Sequence, residues 1–230
     1  MAITGLYKDF LILLVLIVVH EFGHIIPSII FNWNIEKIAI YPFGGCVKFN
    51  EKINKPIKEE FLILAGGPFL QTCFFLFITI CFKNIVSIRN LLILKEYHLS
   101  LLIFNFLPIY PLDGGKLVNL ITNYFMPYKK GNKLVILISF ILIILIIFLN
   151  KELNFILMIS LLLGDLLIYF KRQDYLYNKF LLERYLNPKS YKKLKIIKNK
   201  DNMYRERRHI LKKDNKYITE HDYLINRYKR

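Results

Sequence analysis

The sequence predicts an all-α, polytopic membrane bundle of about five spanning helices, ending in a basic tail. Hydrophobic residues make up 55% of the 230-residue chain, yet the formal net charge is +16. A soluble domain keeps its apolar fraction lower and spreads its charges more evenly. Here the charges are segregated: residues 1–170 carry 14 Lys/Arg against 10 Asp/Glu, and residues 171–230 carry 19 against 7. The division expected is a transmembrane domain at 1–170 and a juxtamembrane cytosolic tail at 171–230.

Residues 10–31 form the first apolar run. At helical rise it reaches ~33 Å, enough for a hydrocarbon core of ~30 Å. It is too long for a signal peptide and leads into His-Glu rather than a small-residue cleavage site. Residues 35–50, with alternating apolar positions around Pro42, Phe43, Gly44 and Gly45, predict a short surface hairpin. A second span covers 61–82, where Gly66, Gly67 and Pro68 are expected to serve close helix packing. The third begins at Tyr97, is broken by Pro108 and Pro111, and resumes over 116–125. Residues 134–149 and 153–170 form a closing helical hairpin around Asn150, Lys151 and Glu152. By the retention of Lys and Arg on the inner side, the tail is cytosolic and the N-terminus outside. Attraction to anionic lipid headgroups explains the tail's charge better than direct nucleic-acid contact. Within it, residues 180–185 predict one or two amphipathic turns, ended by Asn187 and Pro188. Cys46, Cys73 and Cys81 sit at no metal-ligand spacing, so no disulfide framework is expected.

The first span contains His20-Glu21-Phe22-Gly23-His24. Positions i and i+4 share a helix face, so both imidazoles can hold one Zn²⁺ while Glu21 acts as general base on water. Composition alone predicts only ~0.005 such motifs in this chain. Polar helix–helix bonding could explain either histidine, but not an adjacent carboxylate at membrane depth. Catalytic zinc usually takes three protein ligands. Among Glu36, Glu59, Glu60, Glu96, His98, Asp113 and Asp165, Asp113 is the best third ligand. It lies in an apolar stretch of broken helix, and broken backbone at that depth needs protein or a polar cavity around it. The alternative for Asp113 is a helix N-cap for the segment from Lys116. Asp165 is expected to pair with a tail base or a neighbouring helix, and His98, His209 and His221 to lie at the surface.

Together, residues 20–24 and Asn105-x-x-Pro108-x-x-Pro111-Leu112-Asp113-Gly114 resemble the site-2 protease family of intramembrane zinc metalloproteases. Pro42 to Gly45, Glu59-Glu60-Phe61, Gly67-Pro68 and residues 180–185 are most similar to its sporulation branch. The resemblance implies one Zn²⁺ on His20, His24 and Asp113, with Glu21 catalytic and Asn105 orienting substrate or donating to an oxyanion. It implies a membrane-associated protein substrate, pro-sigma-K, in the mother-cell membrane around the forespore, with integral-membrane inhibitor proteins and an oligomer as further possibilities. Members of that branch usually carry one more span before the zinc helix and a C-terminal CBS domain. Residues 171–230 are too few for a linker plus a complete CBS pair, which leaves nucleotide regulation an open question for this sequence. Rival readings are a divalent-metal transporter, which calls for polar residues that spans four and five barely offer, and a non-catalytic membrane scaffold.

Overall fold

The computed structural model describes residues 2–33, 35–41, 44–49, 53–149, 152–189, 191–213 and 216–228. The chain is mostly helical and divides into two compact units: residues 1–51 with 58–107, and residues 52–57 with 108–230. Among the described residues, three helices are long and apolar enough to cross a membrane: Tyr7–Ile30, Ile57–Cys81 and Tyr128–Leu149.

The first unit holds α1 (Ala2–Ile30), the antiparallel hairpin β1 (Ile35–Tyr41) and β2 (Gly44–Phe49), α2 (Ile57–Cys81) and α3 (Ile88–Phe106). The hairpin lies where alternation predicts one; Pro42 and Phe43, around which it is expected, are outside the described residues. Along α1 the outward face carries Leu11, Val15, Phe22, Ile26, Ile29 and Ile30, and the inward face Leu16, Ile17, His20, Glu21 and His24. A soluble helix is patterned the other way, with polar residues outward. Apolar outward and polar inward fits lipid, where an imidazole or carboxylate must find partners inside the protein. Leu16 and Ile17 cluster with Leu94 and Leu101 of α3, and Phe74, Phe75 and Ile78 of α2 pack against them. At the helix ends, Trp33 Nε1 donates to Glu59 Oε2 at 2.9 Å.

α3 begins nine residues before the expected Tyr97, at Ile88, with Ser87 accepting from the Asn90 N–H as its cap. Arg89, Lys95 and Glu96 lie in this extension, which is why an apolarity-based reading starts late.

The second unit contains α4 (Asp113–Phe125), α5 (Tyr128–Leu149), α6 (Leu153–Lys171), α7 (Gln173–Leu186), strands β3 (Leu194–Ile197), β4 (Arg208–Lys213) and β5 (Lys216–Thr219), and α8 (Glu220–Tyr228). Asn150 and Lys151, assigned by sequence to the turn before α6, are outside the described residues. The expected turn or two at 180–185 is the second half of the 14-residue α7, closed by Asn187 at its C-cap. Beyond it the all-α expectation meets a small sheet, with β3 parallel to β4 and β4 antiparallel to β5. Tyr177, Phe180, Leu181, Ile197, Met203, Leu211 and Leu224 bury a core with Tyr128 at the start of α5. Tyr128 stacks on Phe180 at 4.7 Å between ring centroids, and its N–H donates to Met203 O at 2.9 Å.

Two histidines depart from the surface expectation: His98 is 4% exposed and His209 is fully buried, whereas His221 is exposed. His209 bonds through both ring nitrogens and His98 through Nδ1, which lowers the cost of burying them.

Candidate metal centre

His20 and His24 face each other one turn apart on α1, their Nε2 atoms separated by 3.2 Å. The opposite nitrogen of each ring is anchored to α2. His24 Nδ1 lies 2.8 Å from Ile63 O, and His20 Nδ1 lies 2.8 Å from Gln71 Oε1. A backbone carbonyl can only accept, so His24 carries its proton on Nδ1. The Gln71 amide is oriented by its other end, where Nε2 donates to His98 O at 3.1 Å and to His98 Nδ1 at 3.1 Å. Its oxygen therefore faces His20, whose proton must also sit on Nδ1.

Both Nε2 atoms are then lone-pair acceptors directed at one another, an arrangement that a shared cation makes favourable. Two nitrogens at ~2.0–2.1 Å from a tetrahedral zinc stand ~3.3–3.4 Å apart, close to the separation found. The donor set fits zinc, and each ligand ring has the second hydrogen bond that zinc-binding histidines characteristically make.

The α2 backbone approaches this pair closely. Ile63, Gly67 and Gln71 recur every four residues and so share a helix face. A Cβ on Gly67 would collide with the His24 ring and stand 2.9 Å from His20 Nε2. Gly23 and Gly66 cross where a Cβ on either would meet the other's backbone oxygen. The packing role expected of Gly66 and Gly67 thus has specific objects: Gly66 admits the Gly23 backbone, and Gly67 makes room for two imidazoles.

Glu21, adjacent to His20, is 6% exposed. Asn105 is 9% exposed and lies on the buried stripe of α3 formed by Leu94, His98, Leu101 and Asn105, the face that meets Gln71. Asp113 belongs to the second unit, as the first residue of α4. Leu112 occupies its N-cap position without a side-chain cap bond, so the carboxylate is not the cap. Its Oδ1 accepts from Lys116 Nζ at 3.0 Å. The preceding segment is tethered inside that unit: Tyr110 stacks on Tyr169 at 3.9 Å, and its N–H donates to Ser139 Oγ at 3.0 Å. A Cβ on Gly115 would strike the backbone of Ile109 and Tyr110, so glycine permits this fold-back. Asp165 is exposed on α6.

Sequence reasoning missed Gln71 and His98. A glutamine in an apolar span, four residues after a glycine and thus on the same helix face, was the available signal.

Residues 9–88 match the model of peptidase family M50. The chain is 32% identical over 190 residues to stage IV sporulation protein FB of Bacillus subtilis (strain 168), covering 80% of this chain and 66% of that protein. It is 32% identical over 129 residues to a zinc metalloprotease of Methanocaldococcus jannaschii, covering 54% and 37%. Among solved structures it is similar to the site-2 protease from Methanocaldococcus jannaschii, with a TM-score of 0.54 and 27% identity over 71% of this chain and 74% of that one. The chain thus spans just under two thirds, or less, of these two curated relatives. The histidine pair and the helices around it form a candidate metal centre. Over residues 9–88 the chain is thus similar to peptidase family M50, and over a larger share of its length to the sporulation protein and to the solved site-2 protease.

Proposed function

We propose that the chain is an intramembrane zinc metalloendopeptidase that cleaves a membrane-associated protein. The observation that carries this reading is the imidazole pair on α1, with both outer nitrogens bonded to α2 and the two Nε2 atoms brought within 3.2 Å of each other. Asp113 supplies the third ligand. Held by these residues, zinc would supply Lewis acidity, lowering the pKa of water toward ~7 and polarising a carbonyl.

Glu21 takes the proton of the attacking water and returns it to the leaving amine. Its burial keeps bulk water from competing for the carboxylate. Asn105 orients the substrate or donates to the developing oxyanion. Lys116 offsets the charge of the Asp113 carboxylate and limits its freedom to rotate.

Five spans, with the tail on the cytosolic side, accommodate the charge distribution. Similarity to the sporulation protein supports pro-sigma-K as substrate, in the mother-cell membrane around the forespore, with integral-membrane inhibitors as partners. Co-expression with pro-sigma-K tests this: wild type should release the processed factor, and Glu21→Gln should retain zinc while processing stops. Full processing by Glu21→Gln would remove Glu21 from its role.

The transporter reading gains polar groups that sequence alone undercounted, since Asn123, Asn132 and Ser139 are all buried on α4 and α5. Asn123 donates to Asn132 at 3.0 Å, and Ser139 binds Val135 O and the Tyr110 N–H. These bonds hold α4, α5 and the Tyr110 segment together, and only Asn123 Oδ1 among the atoms of these three side chains is buried without a hydrogen-bond partner, which favours the protease reading. Zinc uptake into proteoliposomes would reverse that preference.

A further inference from the structure

Behind His20 lies a buried polar knot that the hydrolytic mechanism does not use. Gln71 is fully buried, and His98 is nearly so. A primary amide in such surroundings is costly unless its hydrogen-bonding groups are used. Gln71 reaches three groups from α1 and α3: His20 Nδ1, His98 Nδ1 and His98 O.

These three contacts differ in what they permit. The two ring nitrogens can each donate or accept, depending on tautomer. His98 O can only accept. Reversing the amide would bring two oxygens face to face at about the 3.1 Å now spanned by a hydrogen bond, so the backbone carbonyl fixes the amide. Once fixed, the amide oxygen demands a proton on His20 Nδ1 and leaves the Nε2 lone pair for metal. The same orientation makes His98 Nδ1 an acceptor, placing that ring's proton on Nε2. Phe75 holds the His98 ring flat, stacked at 4.4 Å and 4° between planes.

We propose that Gln71, locked by the His98 carbonyl, is a positioning residue that holds His20 in its metal-binding tautomer. The proposal rests on the zinc reading of the histidine pair. It goes beyond it by assigning a task to Gln71 and by ranking the contacts: the carbonyl of His98 matters more than its ring.

The test uses the full chain in lipid nanodiscs. Zinc affinity is measured by chelator competition, and the His20 tautomer by nitrogen-15 NMR of the metal-free protein, its signal assigned by loss in His20→Ala. Wild type should bind one zinc and show His20 protonated on Nδ1. Gln71→Met, similar in volume and without the amide, should weaken zinc 10–100-fold and mix the His20 tautomers. His98→Phe keeps the carbonyl and should cost less than Gln71→Met. Thr72→Val, which removes a hydrogen bond from Thr72 Oγ1 to Pro68 O on the same helix, should leave both readouts unchanged.

Unchanged affinity and tautomer in Gln71→Met would overturn the proposal, as would equal losses in all three variants, the mark of a merely structural role. Should Gln71→Met fail to fold, the wild-type spectrum still decides, because a His20 proton on Nε2 contradicts the assignment. Absence of zinc binding by wild type would instead sink the underlying zinc reading.

Discussion

The first unit and the folded tail of the second each bury a histidine among polar groups, but they satisfy it in opposite ways. In the tail, His209 Nδ1 pairs with Glu220 Oε2 at 2.9 Å, and its Nε2 accepts from the Tyr204 N–H at 2.9 Å. Arg184 binds Glu220 and donates to the carbonyls of Tyr204, Arg205 and Arg207. Donors and acceptors there are matched from within the chain. Around His20 and His24 the outer nitrogens are matched just as well, but two acceptors converge on one point. The tail network closes around an ion pair, whereas the helical one brings two ring nitrogens to one point, the arrangement that a shared cation would use.

That contrast is broken or sharpened first at the ligands. His24→Ala should abolish stoichiometric zinc binding and proteolysis while leaving the tail's resistance to protease unchanged; metal analysis and limited proteolysis check this. Arg184→Met should do the reverse, retaining zinc while destabilising the tail by about 3–5 kcal/mol, since Glu220 and three carbonyls lose their shared partner. Thermal or denaturant unfolding followed at the tail measures it.

A smaller effect is expected from acid. Burial lowers the His209 pKa below its ordinary 6.5, against the raising effect of Glu220. Burial alone would raise Glu220 above its ordinary 4.5, but the His209 hydrogen bond and Arg184 reverse this and leave it lowered. Both groups therefore bind fewer protons in the folded state than in the unfolded one. The stability they confer is full above about pH 6.5. His209's share is lost as pH falls below that value, and Glu220's share as it falls below about 4.5. Protease sensitivity of the tail from pH 8 to 4 should rise in that order, and His209→Gln should remove the upper stage.

The smallest effect belongs to Ser139→Ala, which frees the Tyr110 N–H at a cost of about 1 kcal/mol and loosens the segment leading to Asp113. A modest rise in the zinc dissociation rate, with tail stability unchanged, is the expected reading.

Legibility in the sequence followed the cost of each residue. His20, Glu21 and His24 stood out because three polar groups in a hydrocarbon-length helix demand an explanation, and the kink around Pro108 and Pro111 marked Asp113 for similar reasons. Gln71 and His98 did not stand out, because their pairing joins residues 27 apart on different helices and leaves no local period. In the tail, dense lysines masked strands of only four to six residues. Their apolar positions become a core only once α7 and α8 cover them. Five spans were read from apolar runs, whereas length and apolarity together single out three helices among the described residues.

The most direct measurement is the zinc content of the purified full chain after brief chelator washing, beside a His20→Ala, His24→Ala double variant. One zinc per wild-type chain and none in the variant is the expected result. Proteolytically active wild-type protein without metal, or a double variant that keeps its zinc, would contradict it.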